Sequence, residues 1–368
     1  MSLALYRKYR PRQFREIIGQ EVIVKTLQSA SLLDRFSHAY LFTGPRGTGK
    51  TTLARLIAKA ANCQKRDEVT SRQGEPCNSC LACQAIDNGQ ALDVIEIDAA
   101  SNRGIDEIRN LKEAVRFSPS HLRFKVFIID EAHMLTKEAF NALLKTLEEP
   151  PAHAIFVLAT TEPDKLPATI ISRTQRFDFK KPTVSQIIQK LKDITQSERT
   201  EISEEALRLI ALDAEGGFRN AESLLDQIIA QNRERITLTM VEEILGRLSF
   251  AKIGELVELV VKNNLPGTLK FLSEIDEQGY NVFQINKILI GYFRKILALR
   301  LDPSFEEILK KDFTDEEITT IKNFSKILSQ EKGLQILKSL IDAQYQMRYS
   351  PVPAVVLEVA LIENLKER

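Results

Sequence analysis

A glycine-rich stretch carries the clearest chemical signal in the sequence. It consists of Gly44, Pro45, Arg46, Gly47, Thr48, Gly49, Lys50, Thr51 and Thr52. Up to Thr51 it matches the phosphate-binding pattern G-x-x-x-x-G-K-[ST], in which backbone N–H groups turn inward around phosphate oxygens. We therefore predict that these residues contact ATP, with Lys50 on the β- and γ-phosphates and the Thr51 hydroxyl on Mg²⁺.

The segments on either side separate this stretch from an ordinary glycine-rich turn. The apolar run Ala39–Thr43 before it is typical of a buried parallel strand, and residues 52–61 after it have helical spacing. A helix N-terminus behind the loop adds its positive dipole end, which favours a phosphate. The context therefore favours nucleotide binding over a plain turn.

Two adjacent carboxylates end a second apolar run. Asp130 and Glu131 follow the strand predicted at residues 126–129. In P-loop enzymes an acid at this strand end completes the Mg²⁺ shell, which suits Asp130. Glu131 could then polarise the water that attacks the γ-phosphate, and His133 is expected to be structural. A pair of solvated acids is the alternative, which the P-loop disfavours.

Three further polar positions could serve a nucleotide, either that of this chain or that of a neighbouring subunit. Thr161, or Thr160 beside it, follows the strand predicted at residues 155–159 and could orient the attacking water. Arg219 opens a predicted helix, where a cation is unfavourable unless it reaches a phosphate. Arg173 precedes the last predicted strand and could serve a neighbouring subunit's nucleotide as an arginine finger. An ordinary strand end or surface residue remains the alternative for each.

The cysteines of the chain are confined to one short window. They are Cys63, Cys77, Cys80 and Cys83, and the last three form two overlapping C-x-x-C pairs. Four thiolates in a closed set suit a structural, tetrahedral Zn²⁺, since a catalytic site would keep one position open. Two disulfides or an iron–sulfur cluster are the alternatives. A reducing compartment disfavours disulfides, and nothing in the sequence calls for redox chemistry.

The bulk properties place few limits on function. The 368 residues carry a formal net charge of +1, so the chain as a whole is not drawn to nucleic acid or acidic membranes. No run approaches the length of a membrane span, and no signal-peptide core begins the chain. We therefore predict a cytoplasmic protein with no membrane partner.

From about residue 38 to residue 180, apolar strands alternate with amphipathic helices. The predicted strands are Ala39–Thr43, Val94–Ile97, Val126–Ile129, Ile155–Ala159 and Gln175–Phe177. The predicted helices are Thr52–Ala61, Ile105–Val115, Lys137–Glu148 and Pro167–Ile171. This alternation is typical of a parallel sheet covered by helices on both faces, whose ligands sit at the carboxyl ends of the strands.

Beyond this region only helices are predicted. Capping boxes at Thr183/Gln186 and Thr239/Glu242 begin two of them, and the others of the small helical module are Ser203–Glu215 and Asn220–Gln231. The fold class is therefore α/β followed by helical domains. The predicted domains are a P-loop domain at 1–179 with a cysteine module at 63–83, a small helical lid at 180–245 and an all-helical domain at 246–368.

Together these motifs resemble the AAA+ ATPases, and among them the clamp-loader family of bacterial DNA polymerase III gamma/tau subunits. The matching motifs are Tyr6-Arg7-Lys8-Tyr9-Arg10-Pro11, Ile18-Gly19-Gln20, the P-loop, Asp130-Glu131-Ala132-His133, the segment from Asn141 to Pro150, and Ser172-Arg173. The resemblance covers essentially the whole chain and is most specific over residues 1–230.

The resemblance implies roles that the chemistry of single residues does not assign. The residues it places around the adenine are Tyr9, Arg10, Pro11, Ile18 and Gly19. Thr161 would be sensor 1, Arg219 sensor 2 and Arg173 the finger given in trans. The segment Ser101–Arg109, which by itself is typical of an ordinary capped helix, would follow the template backbone without reading sequence.

The implied activity is that of an ATP-driven motor subunit in DNA replication. Such a subunit opens the sliding clamp when ATP is bound and releases it on primed DNA when ATP is hydrolysed. The implied partners are further gamma/tau copies, the delta and delta-prime subunits, the sliding clamp and primer-template DNA, with the C-terminal helical domain as the collar of the ring. Thr174 departs from the usual Ser-Arg-Cys motif, which changes only a packing residue. The chain ends near the close of the collar, so roles that tether polymerase or helicase are not assigned.

Two other functions compete with this interpretation. A branch-migration helicase motor shares the P-loop and the acids, but it would carry a winged helix after residue 250, where no strand-rich segment is predicted. A non-catalytic scaffold such as delta-prime would have a degenerate P-loop. Against it, the chain has intact Lys50, Thr51, Asp130 and Glu131.

Overall fold

The structure is a computed structural model that describes residues 3–65, 73–101, 105–231, 235–246, 248–310 and 315–365. It divides into two compact units, one ending at Ile236 and the other beginning at Thr237. Among the residues described, no helix is both long and apolar enough to span a membrane.

The elements of the first unit follow the predicted alternation closely. Its strands are β1 (Ala39–Thr43), β2 (Val94–Asp98), β3 (Lys125–Asp130), β4 (Ala154–Thr160), β5 (Gln175–Asp178), β6 (Glu201–Ile202) and β7 (Arg235–Ile236). Its helices are α1 (Leu5–Lys8), α2 (Glu21–Leu32), α3 (Lys50–Asn62), α4 (Leu81–Asp87), α5 (Ile105–Arg116), α6 (Lys137–Glu148), α7 (Ala168–Ile171), α8 (Val184–Glu198), α9 (Glu204–Asp213) and α10 (Phe218–Gln231). Short 3₁₀ helices lie at Phe14–Glu16, Ala132–Met134 and Pro163–Lys165.

The first five strands form one parallel sheet in the order β2-β3-β4-β1-β5. Its pairing brings the carboxyl ends together, since Thr43 lies opposite Thr160 and Asp130 opposite Asp98. Every residue of β1 and β4 is buried, because α2 and α3 cover one face of the sheet while α5 and α6 cover the other. Charged and hydroxyl side chains are thereby left at the ends of the strands, where a ligand can reach them.

The segment after β5 differs from the expectation in one detail. Strands β6 and β7 pair in parallel within a module predicted to be helical only, so that prediction is wrong. Strands of two residues are too short to show an alternating pattern in sequence. The capping box of Thr183 and Gln186 is confirmed at the start of α8.

The second unit is helical in the residues described. Its helices are α11 (Leu238–Ile244), α12 (Phe250–Val261), α13 (Leu265–Glu277), α14 (Val282–Leu301), α15 (Glu306–Leu309), α16 (Asp315–Ile327), α17 (Gln330–Gln346) and α18 (Pro353–Leu365), with a 3₁₀ turn at Pro303–Phe305. Helix α14 packs against α16, α17 and α18 around a core that includes Leu289 and Phe293. The predicted capping box at Thr239 is wrong: Thr237 caps α11 by accepting from the Met240 N–H, two residues earlier than expected.

The predicted fold class is confirmed, with a parallel α/β sheet followed by helical segments. The boundaries of the three predicted domains, at residues 179 and 245, stay a prediction.

Candidate functional site

Glycines shape the loop between β1 and α3. The backbone angle φ is +138° at Gly44, +77° at Gly47 and +96° at Gly49, a region that residues with a side chain rarely adopt. A Cβ at Gly44 would also lie 2.5 Å from the carbonyl oxygen of Phe179. The loop can therefore curl tightly, and curling is what brings backbone N–H groups toward a phosphate.

Lys50 begins α3, and its ammonium lies inside this loop. Its Nζ is 2.7 Å from the carbonyl oxygen of Gly44 and 2.8 Å from that of Pro45, and the residue is only 6% exposed. Burial lowers the pKa of Lys50, while Glu131 and Asp130 act in the opposite direction. A cation held at the centre of the loop is well placed to contact phosphate oxygens.

A hydroxyl, two carboxylates and a second hydroxyl meet beside Lys50. Thr51 Oγ1 donates to Asp130 Oδ2 at 2.6 Å, which offers two hard oxygen ligands of the kind Mg²⁺ takes. Glu131 has a left-handed backbone with φ +47°, and its carboxylate accepts a 3.1 Å hydrogen bond from Thr161 Oγ1. A water molecule between Glu131 and a phosphate would therefore face both a base and a hydroxyl.

His133 contacts the threonine that ends β4, Thr160. Its Nδ1 lies 2.9 Å from Thr160 Oγ1, and its ring lies 3.6 Å from a Glu131 oxygen and 3.3 Å from a Glu162 oxygen. Thr160 is completely buried. Thr161 is thus the threonine that is hydrogen-bonded to Glu131, whereas Thr160 contacts His133.

A cavity of about 250 Å³ opens beside the loop. The predicted residues that line it are Arg10, Pro11, Ile18, Arg46, Gly47, Thr48, Gly49, Lys50, Thr51, Thr52, Asp130, Glu131 and Arg219. Residues that line it without having been predicted are Tyr6, Glu16, Ile17, Asp98, Lys190, Phe218 and Glu222. The predicted residues outside its lining are Tyr9, Gly19, Gly44, Pro45, Thr161 and Arg173.

Tyr9 and Gly19, predicted at the adenine, lie behind the cavity wall. The Tyr9 hydroxyl donates to Glu198 at 2.7 Å, and its carbonyl accepts from Lys190 at 2.9 Å. Gly19 packs against the side chain of Gln186. Helix α1 ends before Tyr9, and the chain then turns that side chain toward α8, so Tyr6 faces the cavity instead.

Arg219 reaches the cavity from the first turn of α10. Its guanidinium lies 4.9 Å from the centre of the Tyr6 ring, which is a cation–π distance. The Phe218 N–H donates to the carbonyl oxygen of Gly47 at 3.1 Å, and a Cβ on Gly47 would come within 2.9 Å of Gly217. The start of α10 is therefore docked directly on the phosphate loop.

Arg173 lies away from the cavity. Its guanidinium pairs with Glu148 at 2.7 Å and donates to the carbonyl of Thr169 at 2.9 Å. The side chain is partly exposed. Among the contacts described, Arg173 therefore bonds to α6 and α7 and not to the phosphate loop, and its role stays a prediction.

The cysteines cluster after α3. Their sulfur atoms all lie within 4.8 Å of one another, and all four cysteines are free. The N–H groups of Cys77, Cys80 and Cys83 each point at the sulfur of the preceding cysteine, at 3.3 to 3.4 Å. Such donors stabilise thiolates, the form that binds metal, so the residues fit a tetrahedral Zn²⁺.

Within the predicted DNA-following segment Ser101–Arg109, residues 102–104 lie outside the described residues and residues 105–109 form the start of α5. Only Ser101 has a described side chain, and its hydroxyl bonds the carboxylate of Asp98 at 3.0 Å.

Glu222 lines the cavity and was not predicted, although its spacing from Arg219 indicates that it shares the same helix face. Glu222 lies one turn after Arg219 in α10, so helical spacing puts both on one face. Glu222 is 6% exposed, and burial raises its pKa to about 7 against the opposing effect of Lys190 and Arg10. Tyr6 belonged to a motif already noted, whereas Ile17 and Lys190 carried no signal.

Three family models match the chain. They are described as DNA polymerase III, delta subunit, over residues 19–183; DNA polymerase III clamp loader subunit, ATPase lid domain, over 186–234; and DNA polymerase III subunits gamma and tau domain III, over 236–366.

Similar proteins are DNA polymerase III subunits from several bacteria. The tau subunit of Bacillus subtilis is 45% identical over 98% of this chain and 62% of its own length. The tau subunit of Escherichia coli is 37% identical over 98% of this chain and 55% of its own length. The gamma subunit of Buchnera aphidicola is 37% identical over 97% of both chains. The chain thus spans less than two thirds of the length of the two tau subunits.

Proposed function

The chain belongs to the family of DNA polymerase III gamma and tau subunits, and we propose that it acts there as an ATP-driven motor of the clamp loader. In this role it binds ATP, hydrolyses it to ADP and phosphate, opens the sliding clamp and leaves it on primed DNA during replication. The three family models together support this role along the chain. The match of residues 236–366 to a gamma and tau domain favours it over a branch-migration motor.

One observation carries the ATPase proposal: the Thr51–Asp130 pair lies beside the buried Lys50 ammonium. Lys50 would contact the β- and γ-phosphate oxygens, while the curled loop offers its N–H groups. Thr51 and Asp130 would hold Mg²⁺, which neutralises charge on the phosphates when bound.

Hydrolysis would rest on residues around Glu131. Glu131 takes the proton of the attacking water as general base, and Thr161, bonded to Glu131, orients that water. Arg219, at the first turn of α10, would contact the γ-phosphate and so couple its presence to the position of the helical lid. Arg173 would stabilise the transition state in the site of a neighbouring subunit.

The proposed partners follow from the family. They are further gamma or tau copies, delta and delta-prime subunits, the sliding clamp, and primer-template DNA held without sequence preference. The second structural unit would supply the collar contacts among subunits. We propose a cytoplasmic location for this assembly.

The cysteine cluster would hold one structural zinc ion. All four sulfurs are used in the set, which leaves no position for a substrate. We expect metal analysis to return one zinc per chain, and removal of the metal to destabilise the first unit. Iron in its place, or two disulfides, would contradict this.

The test of the proposed function is ATP turnover in a reconstituted assembly. We expect turnover to rise when delta, delta-prime, the clamp and primed DNA are all supplied. The matched control is Glu131→Gln, which keeps the shape of the side chain and should leave ATP bound without hydrolysis. The proposal would be rejected if ATP turnover did not change when clamp and DNA are added. It would also be rejected if Glu131→Gln turned over ATP at the wild-type rate.

A further inference from the structure

A buried carboxylate connects the cysteine module to the N-terminal segment. Glu75 lies two residues before Cys77 and is only 3% exposed. Its carboxylate accepts hydrogen bonds from the N–H of Phe14 at 2.6 Å and the N–H of Arg15 at 2.9 Å. A third bond comes from Gln28 Nε2 at 2.8 Å. One side chain therefore satisfies two backbone donors of a distant segment.

The backbone beside Glu75 is pressed against the same region. Gly74 has φ +76°, and a Cβ there would lie 2.3 Å from the carbonyl oxygen of Gln28 in α2. Any residue other than glycine would push the chain away from α2. The close approach of Gly74 to α2 thus places the Glu75 carboxylate within hydrogen-bonding distance of its three donors.

Lys59 makes a second connection from the other side. This lysine of α3 is 1% exposed, and its ammonium pairs with Asp87 at 2.7 Å, at the end of α4. The same Nζ donates to the carbonyl of Arg12 at 3.2 Å. Helix α4 begins just after Cys80, so the far end of the cysteine module is connected to the Arg12 carbonyl through Lys59, whereas Glu75 bonds residues 14 and 15 directly.

That segment leads directly into the cavity wall. Arg10 and Pro11 precede it, Glu16, Ile17 and Ile18 follow it, and all of them line the cavity. Phe14 between them is completely buried. The position of the wall opposite the phosphate loop therefore depends on how the segment is anchored.

We propose that Glu75 is a positioning residue for nucleotide binding, through which the cysteine module fixes the wall formed by residues 10–18. The inference rests on the proposed function, because it takes the cavity to be the ATP site. Glu75 touches no residue of the phosphate loop in the contacts described, so its effect passes through Phe14 and Arg15.

The test variant is Glu75→Gln, and Asp93→Asn is its matched control. Asp93 is also a buried carboxylate that accepts backbone N–H groups, from Ser120, His121 and Leu122 at 2.8 to 3.0 Å. It precedes β2 and so lies at the amino ends of the strands, whereas Asp98 and Asp130 line the cavity at their carboxyl ends. Both variants should lower the free energy of unfolding, but only Glu75→Gln should also lower the affinity for the nucleotide.

Two readouts on the full chain decide the matter. Affinity for a fluorescent ADP should fall roughly 5–150-fold in Glu75→Gln, the usual range for coupled sites, and stay within about twofold of wild type in Asp93→Asn. Hydrogen exchange at the amides of residues 12–16 should be faster in Glu75→Gln and unchanged in Asp93→Asn. Equal affinities and equal exchange in the two variants would overturn the proposal.

The second readout also keeps the two hypotheses apart. Failure of the wild-type chain to bind ADP or ATP would reject the proposed function. Exchange at residues 12–16 needs no nucleotide and would still show whether Glu75 holds the segment. Lys59→Met provides a second test of how the segment is anchored. Hydrogen exchange at the same amides should be faster in this variant, because it removes the hydrogen bond to the Arg12 carbonyl.

Discussion

The two ends of the proposed nucleotide cavity are built in different ways. The phosphate end comes from one continuous loop and from the ends of adjacent strands. There Lys50 is hydrogen-bonded to the loop, and Thr51 is hydrogen-bonded to Asp130. The base end is assembled from residues 6–18, from α8 through Lys190 and from α10 through Glu222. Its members are far apart in sequence and meet only in the fold.

This difference bears on what each end can do. The geometry of the phosphate end is set by the backbone, through the positive φ angles of its glycines and the ends of a parallel sheet. The base end depends on contacts among separate segments, such as the bond from Lys190 to the Tyr9 carbonyl. We therefore expect substitutions at the phosphate end to change chemistry, and substitutions at the base end to change affinity and stability.

The largest effect is expected from Arg173, which sharpens the comparison because it belongs to neither end of its own cavity. Arg173→Ala should leave ATP binding by the isolated chain nearly unchanged. In the assembly, clamp- and DNA-stimulated hydrolysis should fall by about 10³–10⁵, the usual contribution of an arginine finger supplied by a neighbour.

A mixed assembly separates action in trans from a structural role. Subunits with Arg173→Ala are combined with subunits carrying Lys50→Ala, and turnover is measured. Some interfaces then pair an intact phosphate loop with an intact arginine, so activity should partly return. Well-formed mixed rings without any recovery would mean that Arg173 acts only in its own chain or only on packing with Glu148.

The next effect compares two neighbours within the phosphate end. Glu131→Gln should keep ATP affinity and slow hydrolysis by about 10²–10⁴, since proton transfer is needed only in the transition state. Lys50→Ala should lose about 10–100-fold in affinity, the value of one or two bonds to a charged group. Equilibrium binding and single-turnover hydrolysis on the same preparations measure both. Equal losses of ATP binding in the two variants would show that Glu131 is not the base.

The smallest effect concerns the base end and depends on pH. Burial raises the pKa of Glu222 to about 7, against the opposing effect of the positive charges of Lys190 and Arg10. The folded chain therefore holds a proton that the unfolded chain releases, and stability falls as pH rises from about 4.5 to 7. Glu222→Gln should match wild type at about pH 4, below both pKa values.

At pH 8 the same variant should be more stable than wild type by about 1–3 kcal/mol, which raises the melting temperature by a few degrees. Thermal melts of the two proteins at both pH values make the measurement. Parallel changes with pH in the two proteins would show that Glu222 ionises in the fold as it does in water.

The same contrast explains which features could be predicted from the sequence. The phosphate end, the strands beneath it and the cysteine set are local in sequence, and their spacing carries the chemistry. The place of Tyr9 at the adenine is implied only by the resemblance and stays a prediction; Tyr6 lines the cavity, whereas the Tyr9 hydroxyl donates to Glu198 through a tertiary contact that no local pattern shows. Lys190 and Ile17 reach the cavity only through tertiary packing, for which no local pattern exists.

Glu131 illustrates how activity and robustness can oppose each other. Its left-handed backbone costs a residue with a side chain about 1–3 kcal/mol, and glycine would adopt the same angles freely. A laboratory selection for heat resistance alone would thus favour Glu131→Gly, which relaxes the backbone and discards the proposed base. Any programme of thermal improvement for this chain needs ATP turnover as a second screen.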